Sequence, residues 1–180
     1  MKRSMKRSLS SKDLIDFILA AKIAKCNKEC TWSLSHRPGS IDLQFARPSA
    51  GLVYSYSGFG HSESISQEVI YSSSDEAIWA MNQYIHIHES DDRSKINELT
   101  QEFSLKQYQQ GRLLGSFNHS IKDYTYADDN NNNFFVLSGR WFIKLKDEII
   151  CECFYHGGLL IERWELQDQK RPSLKISRGT

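Results

Sequence analysis

Residues 151–164 read CECFYHGGLLIERW, which places two thiols, two carboxylates, one histidine and a Gly-Gly pair within fourteen positions. Such a run is compatible with a metal site, with a catalytic centre or with a strand that contains reactive residues. In a β-strand the side chains alternate between the two faces, so Cys151 and Cys153 share one face while Glu152 and His156 share the other. The alternation therefore predicts a central strand whose cysteines pack under a helix.

The composition indicates a globular domain. The 180 residues are 39% hydrophobic and 12% aromatic, which is ordinary for a folded, soluble protein. No apolar run approaches the roughly 18–20 residues that cross a bilayer, so we expect no membrane partner. The basic start, MKRSMKRS, is followed by neither an apolar signal-peptide core nor a cleavage site. We predict a cytoplasmic protein with reduced cysteines, and secretion as an effector without a cleavable signal peptide stays open.

The charges are distributed unevenly along the chain. Residues 1–10 and 169–180 each carry four basic side chains and no acidic one, although the formal net charge of the whole chain is only +1. The body, residues 11–168, is therefore acidic, which argues against a nucleic-acid-binding face on the domain itself. We interpret the two ends as basic, disordered tails; contact of such tails with nucleic acid or a membrane surface is the alternative.

Hydrophobic periodicity predicts two helices and eight strands. Residues 11–26 place Leu14 and Phe17 on one apolar stripe, with Ser10 or Ser11 as the N-cap. The same reasoning predicts a second helix at 92–109, a polar loop at 128–133, and strands near 41–46, 52–57, 65–72, 76–86, 113–119, 122–127, 135–145 and 148–164.

The order of these elements suggests an internal repeat. A gapless shift of 72 residues aligns 41–88 with 113–160 and gives six identities in 48 positions, among them Tyr54 with Tyr126. Each segment consists of a helix followed by about four antiparallel strands. We therefore predict an α+β fold.

The predicted domain organisation follows from the same pattern. A single α+β domain spans residues 11–168, between basic tails at 1–10 and 169–180. Within it, two pseudo-repeated helix-plus-antiparallel-strand halves cover about 11–90 and 91–164, and their sheets bury the apolar stripes of the helices.

Metal binding is the less favoured interpretation of the cysteines. Cys26 and Cys30 are separated by three residues and Cys151 and Cys153 by one, whereas a strong zinc signature pairs two Cys-x-x-Cys motifs. Free cysteine is among the most frequently buried residue types. We predict core thiols, no bound metal and no cofactor.

Two further histidines could chelate a metal. His86 and His88 in the run YIHIHE alternate onto one strand face, a spacing that suits a divalent ion. We interpret them as solvated histidines at the end of a strand.

Four polar residues from corresponding strands form the candidate site. Asn82, Tyr84, Glu152 and His156 converge if those strands are neighbours, and Gly157 beside the histidine permits close approach of a partner. A carboxylate near a histidine can prepare it for acid–base catalysis. The same groups could instead bind a ligand, or only satisfy one another on a partly buried sheet.

The sequence resembles a prokaryotic family that is catalogued as domain of unknown function 5680. The resemblance covers about 13–163 and rests on the segments LIDFILAAK, SQEVI, IWAMNQY and CECFYHGG. Departures from the family pattern are Ser66, Gln83, Ile85 and Arg140-Trp141. The family motif matches at Glu68, Trp79, Met81, Asn82, Tyr84, Glu152, Cys153, His156, Gly157 and Gly158.

The resemblance implies a sensing or dimerising module, because some family members follow a helix-turn-helix DNA-binding domain. It also adds Glu68 to the candidate ligand-binding residues, which are then Glu68, Asn82, Tyr84, Glu152, His156 and Gly157; none is assigned as catalytic. A fold alone does not name a substrate.

Three functions compete. The first is a stand-alone binding domain whose small-molecule or peptide ligand docks in the cleft between the two halves. The second is a protein-interaction factor, such as an inhibitor or a bacterial effector, that uses an exposed sheet edge or an acidic face, and a homodimer is possible. The third is a hydrolase or isomerase that uses Glu152 and His156.

Overall fold

The computed structural model of the protein describes residues 9–32, 40–60, 63–88 and 92–160. Helix α1 (Ser11–Cys26) begins at the predicted N-cap, Ser10, whose side chain accepts from the backbone N–H of Asp13 in a capping box. Helix α2 (Arg93–Gln109) begins after Asp92, whose carboxylate accepts from the backbone N–H of Lys95. Both helices confirm the prediction. Neither has the length and apolar character needed to span a membrane, and no other helix in the described part of the chain has them either.

Within the described ranges, nine strands form one antiparallel sheet. The order across the sheet is β1-β2-β3-β4-β5-β9-β8-β7-β6. The strands are β1 (Thr31–Trp32), β2 (Ser40–Arg47), β3 (Leu52–Phe59), β4 (Glu63–Ser72), β5 (Ala77–Ile87), β6 (Phe117–Ile121), β7 (Tyr124–Asn130), β8 (Val136–Leu145) and β9 (Glu148–Leu159).

The predicted α+β fold of two pseudo-repeated halves is wrong. Strands β5 and β9 are hydrogen-bonded neighbours, from Trp79 opposite Leu159 to Ile87 opposite Cys151. Strands β1–β5 and strands β6–β9 therefore belong to one continuous sheet. With nine strands and two α-helices in its described part, the protein is predominantly β. Because the sheet is continuous at β5 and β9, these two strands have no cleft between them.

The two faces of the sheet have different environments. The interior face is covered by α1 and α2, and its core includes Tyr54, Trp79 and Cys153. Cys151 and Cys153 are fully buried, as the alternation in CECFYHGG predicts. The other side of the sheet, here called the outer face, carries the residues that alternate with these.

The element bounds differ from the prediction in a few places. Strand β1 was not predicted, and β7 extends to Asn130, so the predicted loop at 128–133 begins as strand. Strand β9 ends at Leu159, and residues 161–164 of the predicted strand lie outside the described residues. Apart from residues 9 and 10, the two predicted tails also lie outside them.

Candidate functional site

Asn82, Tyr84 and His156 lie together on the outer face. Asn82 is directly opposite His156 across β5 and β9, and Tyr84 is opposite Phe154. The side-chain amide of Gln67 donates to the Asn82 side-chain oxygen at 3.1 Å. The three residues therefore share one face and lie on neighbouring strands, as the sequence predicts. The surface that they form is exposed to solvent and is not a pocket.

Glu152 lies further along the same face. It is opposite His86, and its carboxylate accepts from the Arg140 guanidinium at 2.6 Å. Four residues along a strand span about 13 Å, so Glu152 cannot contact His156, which lies on the same strand. The acid–base pair required by the hydrolase or isomerase hypothesis is therefore not formed.

Glu68 lies on the opposite, interior face and is buried between two lysines of α1. Its carboxylate forms an ion pair with Lys22 and a second one with Lys25, at 3.3 Å. The Lys25 ammonium also lies 3.6 Å from the centre of the Tyr56 ring. We call Lys22, Lys25 and Glu68 the ion cluster.

Burial and the charges of the ion cluster together shift the pKa of each member of the cluster. Burial alone would raise the pKa of Glu68, but the two ammonium groups outweigh burial and lower it to about 2. Burial lowers the pKa of Lys22 against the attraction of Glu68. For Lys25 burial acts in the same direction, yet the Glu68 carboxylate, together with Tyr56 and Cys26, outweighs burial and raises the pKa. Glu68 is therefore ionised at neutral pH.

A second buried carboxylate lies on β7. Asp128 accepts from the Tyr155 hydroxyl and from the Gln107 side-chain amide, both at 2.6 Å. The Tyr126 hydroxyl donates to the side-chain oxygen of Gln107 at 3.0 Å. Burial raises the pKa of Asp128 in spite of these hydrogen bonds. The group links α2 to β7 and β9.

The space beside these buried groups is small. A cavity of about 20 Å³ is lined by Lys22, Gln107, Tyr108, Asp128 and Tyr155, among others. This volume accommodates about one water molecule. Buried ionisable groups often mark a functional site, but no substrate fits here, and we assign the ion cluster and the Asp128 network to the stability of the fold.

A larger space lies between the N-terminal half of α2 and the interior face. This cavity, here called the α2 cavity, has a volume of about 420 Å³. The described residues that line it come from α2, from the ends of strands and from the interior face: Ser40, Ile41, Tyr56, Gly58, Phe59, Gly60, Ser64, Ile85, Ile87, Ile96, Asn97, Thr100 and Cys151. None of the six predicted site residues lines it.

Gly157 and the cysteines have structural environments. A Cβ on Gly157 would overlap the carbonyl oxygen of Ala80 and lie 2.7 Å from the Cα of Met81. Burial raises the pKa of the Cys151 thiol to about 12, which is expected of a neutral core thiol. In the part of the chain that the structure describes, no group of three or more His, Cys, Asp or Glu side chains is arranged to hold a metal ion.

The sequence contained signals for some of the residues that were missed. Lys22 lies four positions after Ile18, a spacing that places it on the buried stripe of α1. Asp128 alternates with Tyr126 on β7, but the acidic and amide run that follows it indicates a loop. Nothing in the spacing indicates that α2 leaves a cavity.

The comparisons with known proteins agree with this description at the level of family. No curated protein and no solved structure was found to match the chain. The family model described as Domain of unknown function (DUF5680) matches residues 55–160, which run from β3 to the end of β9 and make up more than half of the chain. The family predicted from the motifs is confirmed: the chain belongs to the DUF5680 family.

Proposed function

We propose that the protein is a binding domain for a small organic molecule and that the molecule occupies the α2 cavity. The observation that supports this is the volume of about 420 Å³ together with a lining of mainly apolar side chains and a few hydroxyl and amide groups. Ligand pockets in proteins have volumes of about 300–1,000 Å³ and linings of this type. The proposal keeps the binding function suggested by the sequence but moves the ligand from the predicted cleft to the space under α2.

A neutral fluorescent probe tests this proposal. N-phenyl-1-naphthylamine is expected to bind the full chain saturably, with a fluorescence increase, because an apolar cavity removes it from water. Ile85→Trp fills the cavity from β5 and is expected to weaken probe binding at least about tenfold, equivalent to about 1.4 kcal/mol.

The matched control is Ile65→Trp, which makes the same substitution on the outer face of β4, where 57% of the Ile65 side chain is exposed. This variant should bind the probe like the unmodified protein. Circular dichroism checks that both variants are folded. An unchanged dissociation constant in Ile85→Trp would show that the probe binds elsewhere.

One observation favours a second function, self-association through the outer face. Ile65, Tyr84 and Phe154 are successive neighbours across β4, β5 and β9, and they are 57%, 39% and 49% exposed. Exposed apolar surface of this kind commonly marks an interaction site. Arg140 continues the row on β8, but its charge is paired with Glu152 at 2.6 Å.

Ile65, Tyr84 and Phe154 carry no charge, so two copies can bring these three side chains together without repulsion between them, and we propose a second copy of the chain as the partner. The protein is expected to elute as a dimer whose fraction increases with concentration, and Tyr84→Asp is expected to convert it to a monomer. Ser55→Asp, on the outer face of β3, is the control and should leave the dimer intact. Light scattering that gives a monomer at every concentration would contradict the proposal.

A further inference from the structure

We infer that the ligand of the α2 cavity is a neutral amphiphile, a molecule with an apolar body and an uncharged hydrogen-bonding group. This inference rests on the proposed function and names the chemical class that the cavity would bind. It follows from the kinds of side chain that line the cavity and from the position of Lys25, a cationic group that contacts one of its walls.

The lining combines apolar side chains with uncharged polar ones. Ile85, Ile87 and Ile96 supply branched apolar surface from β5 and α2. Asn97 and Thr100, three residues apart, lie on one side of α2 and both reach the cavity. Among the described lining residues none is an Asp, Glu, Lys, Arg or His. Hydroxyl and amide groups donate and accept hydrogen bonds without requiring a charged partner.

Lys25 contacts one wall of the cavity, the ring of Tyr56. It does not line the cavity itself. Its ammonium lies 3.6 Å from the Tyr56 ring centre and 3.3 Å from the Glu68 carboxylate. The Glu68 carboxylate already neutralises part of the charge on Lys25. An anionic ligand would therefore have to break the ion pair between Lys25 and Glu68 before it could pair with the lysine.

An ionised ligand would also lose part of its hydration. Moving a carboxylate or an ammonium group from water into an apolar space without a partner is unfavourable by several kcal/mol, whereas a hydroxyl loses far less and regains a hydrogen bond from Asn97, Thr100 or Ser64. The described part of the lining therefore discriminates against ions of either sign.

Three ligands that share a ten-carbon chain and differ in the charge of the head group test this inference, because their apolar parts have the same size. Decanol, decanoate and decylammonium are titrated at neutral pH against the full chain loaded with N-phenyl-1-naphthylamine. Decanol is expected to displace the probe at a concentration at least about thirtyfold lower than either ion. The double variant Asn97→Leu/Thr100→Val should weaken decanol about tenfold, because it removes the helix's hydrogen-bonding groups while keeping side chains of similar size.

The possible failures are distinguishable. If the probe does not bind the unmodified protein, the proposed function itself fails. If the probe binds but decanoate or decylammonium displaces it as well as decanol does, the binding function stands and the neutral class is overturned. An unchanged decanol affinity in the double variant would overturn recognition of the hydroxyl by α2.

Discussion

Replacing Glu68 with Gln is expected to lower the free energy of unfolding by about 3–5 kcal/mol, because the substitution leaves Lys22 buried beside a neutral side chain. The Lys22 and Glu68 side chains are only 3% and 1% exposed, so water cannot take over the role of the carboxylate. Urea denaturation of the two proteins measures the difference. A loss below about 1 kcal/mol would show that the lysines find another partner.

The double variant Lys22→Met/Glu68→Leu tests whether the loss comes from the unpaired charge. It removes both buried charges and leaves Lys25, whose side chain is 27% exposed and can extend into water. We expect the double variant to be more stable than Glu68→Gln alone. Equal or lower stability would mean that packing around Glu68, and not the ion pair, determines the effect.

The same carboxylate gives the stability a defined pH dependence. The pKa of Glu68 is about 2 in the folded protein, against about 4.3 in an unfolded chain. A lowered pKa contributes stability that is fully present above about pH 4.3 and is lost as the pH falls through about 2. For this shift the contribution is about 3 kcal/mol. In the Glu68→Gln variant, the free energy of unfolding should therefore fall less steeply between about pH 4.3 and pH 2 than in the unmodified protein.

The second large effect is expected at Gly157. Gly157→Ala should lower the free energy of unfolding by about 3 kcal/mol or more, because the new Cβ would collide with backbone atoms of Ala80 and Met81 in the adjacent strand. Backbone cannot move aside as the end of a side chain can. Thermal and urea denaturation measure the loss.

Two other substitutions locate the origin of this effect. His156→Ala changes the preceding, exposed residue on the outer face and should stay within about 0.5 kcal/mol. Gly111→Ala adds a Cβ where nothing lies within 4 Å but φ is +72°, so only about 1–2 kcal/mol of backbone strain is expected. A Gly157→Ala protein as stable as Gly111→Ala would contradict the close contact between β5 and β9.

Local patterns predicted the elements well. The three- and four-residue spacing of Leu14, Phe17 and Ile18 is specific for a helix, and all three are buried on α1. The two-residue alternation in CECFYHGG places Cys151 and Cys153 on the buried face for the same reason. These predictions succeed because each depends on a few neighbouring residues.

The fold class failed because alternation does not identify pairing partners. The strands of the two segments were predicted in the right order, but two separate sheets and one merged sheet give the same pattern along the chain. Only the hydrogen bonds between β5 and β9 distinguish them. The α2 cavity could not be predicted either, since it depends on how closely the first turns of α2 approach Ile85 and Ile87.

The position of β9 beside β5 has a consequence for how the protein is made. Every other neighbouring pair in the sheet joins strands that follow each other in the sequence, whereas residues 88–147 separate β5 from β9. During synthesis, one edge of the eleven-residue strand β5 therefore lacks its hydrogen-bonding partner until β9 has been synthesised. By then nearly all of the described domain has left the ribosome. A nascent or truncated chain that ends before residue 148 exposes this long edge to other chains, and aggregation is the characteristic risk of such an intermediate.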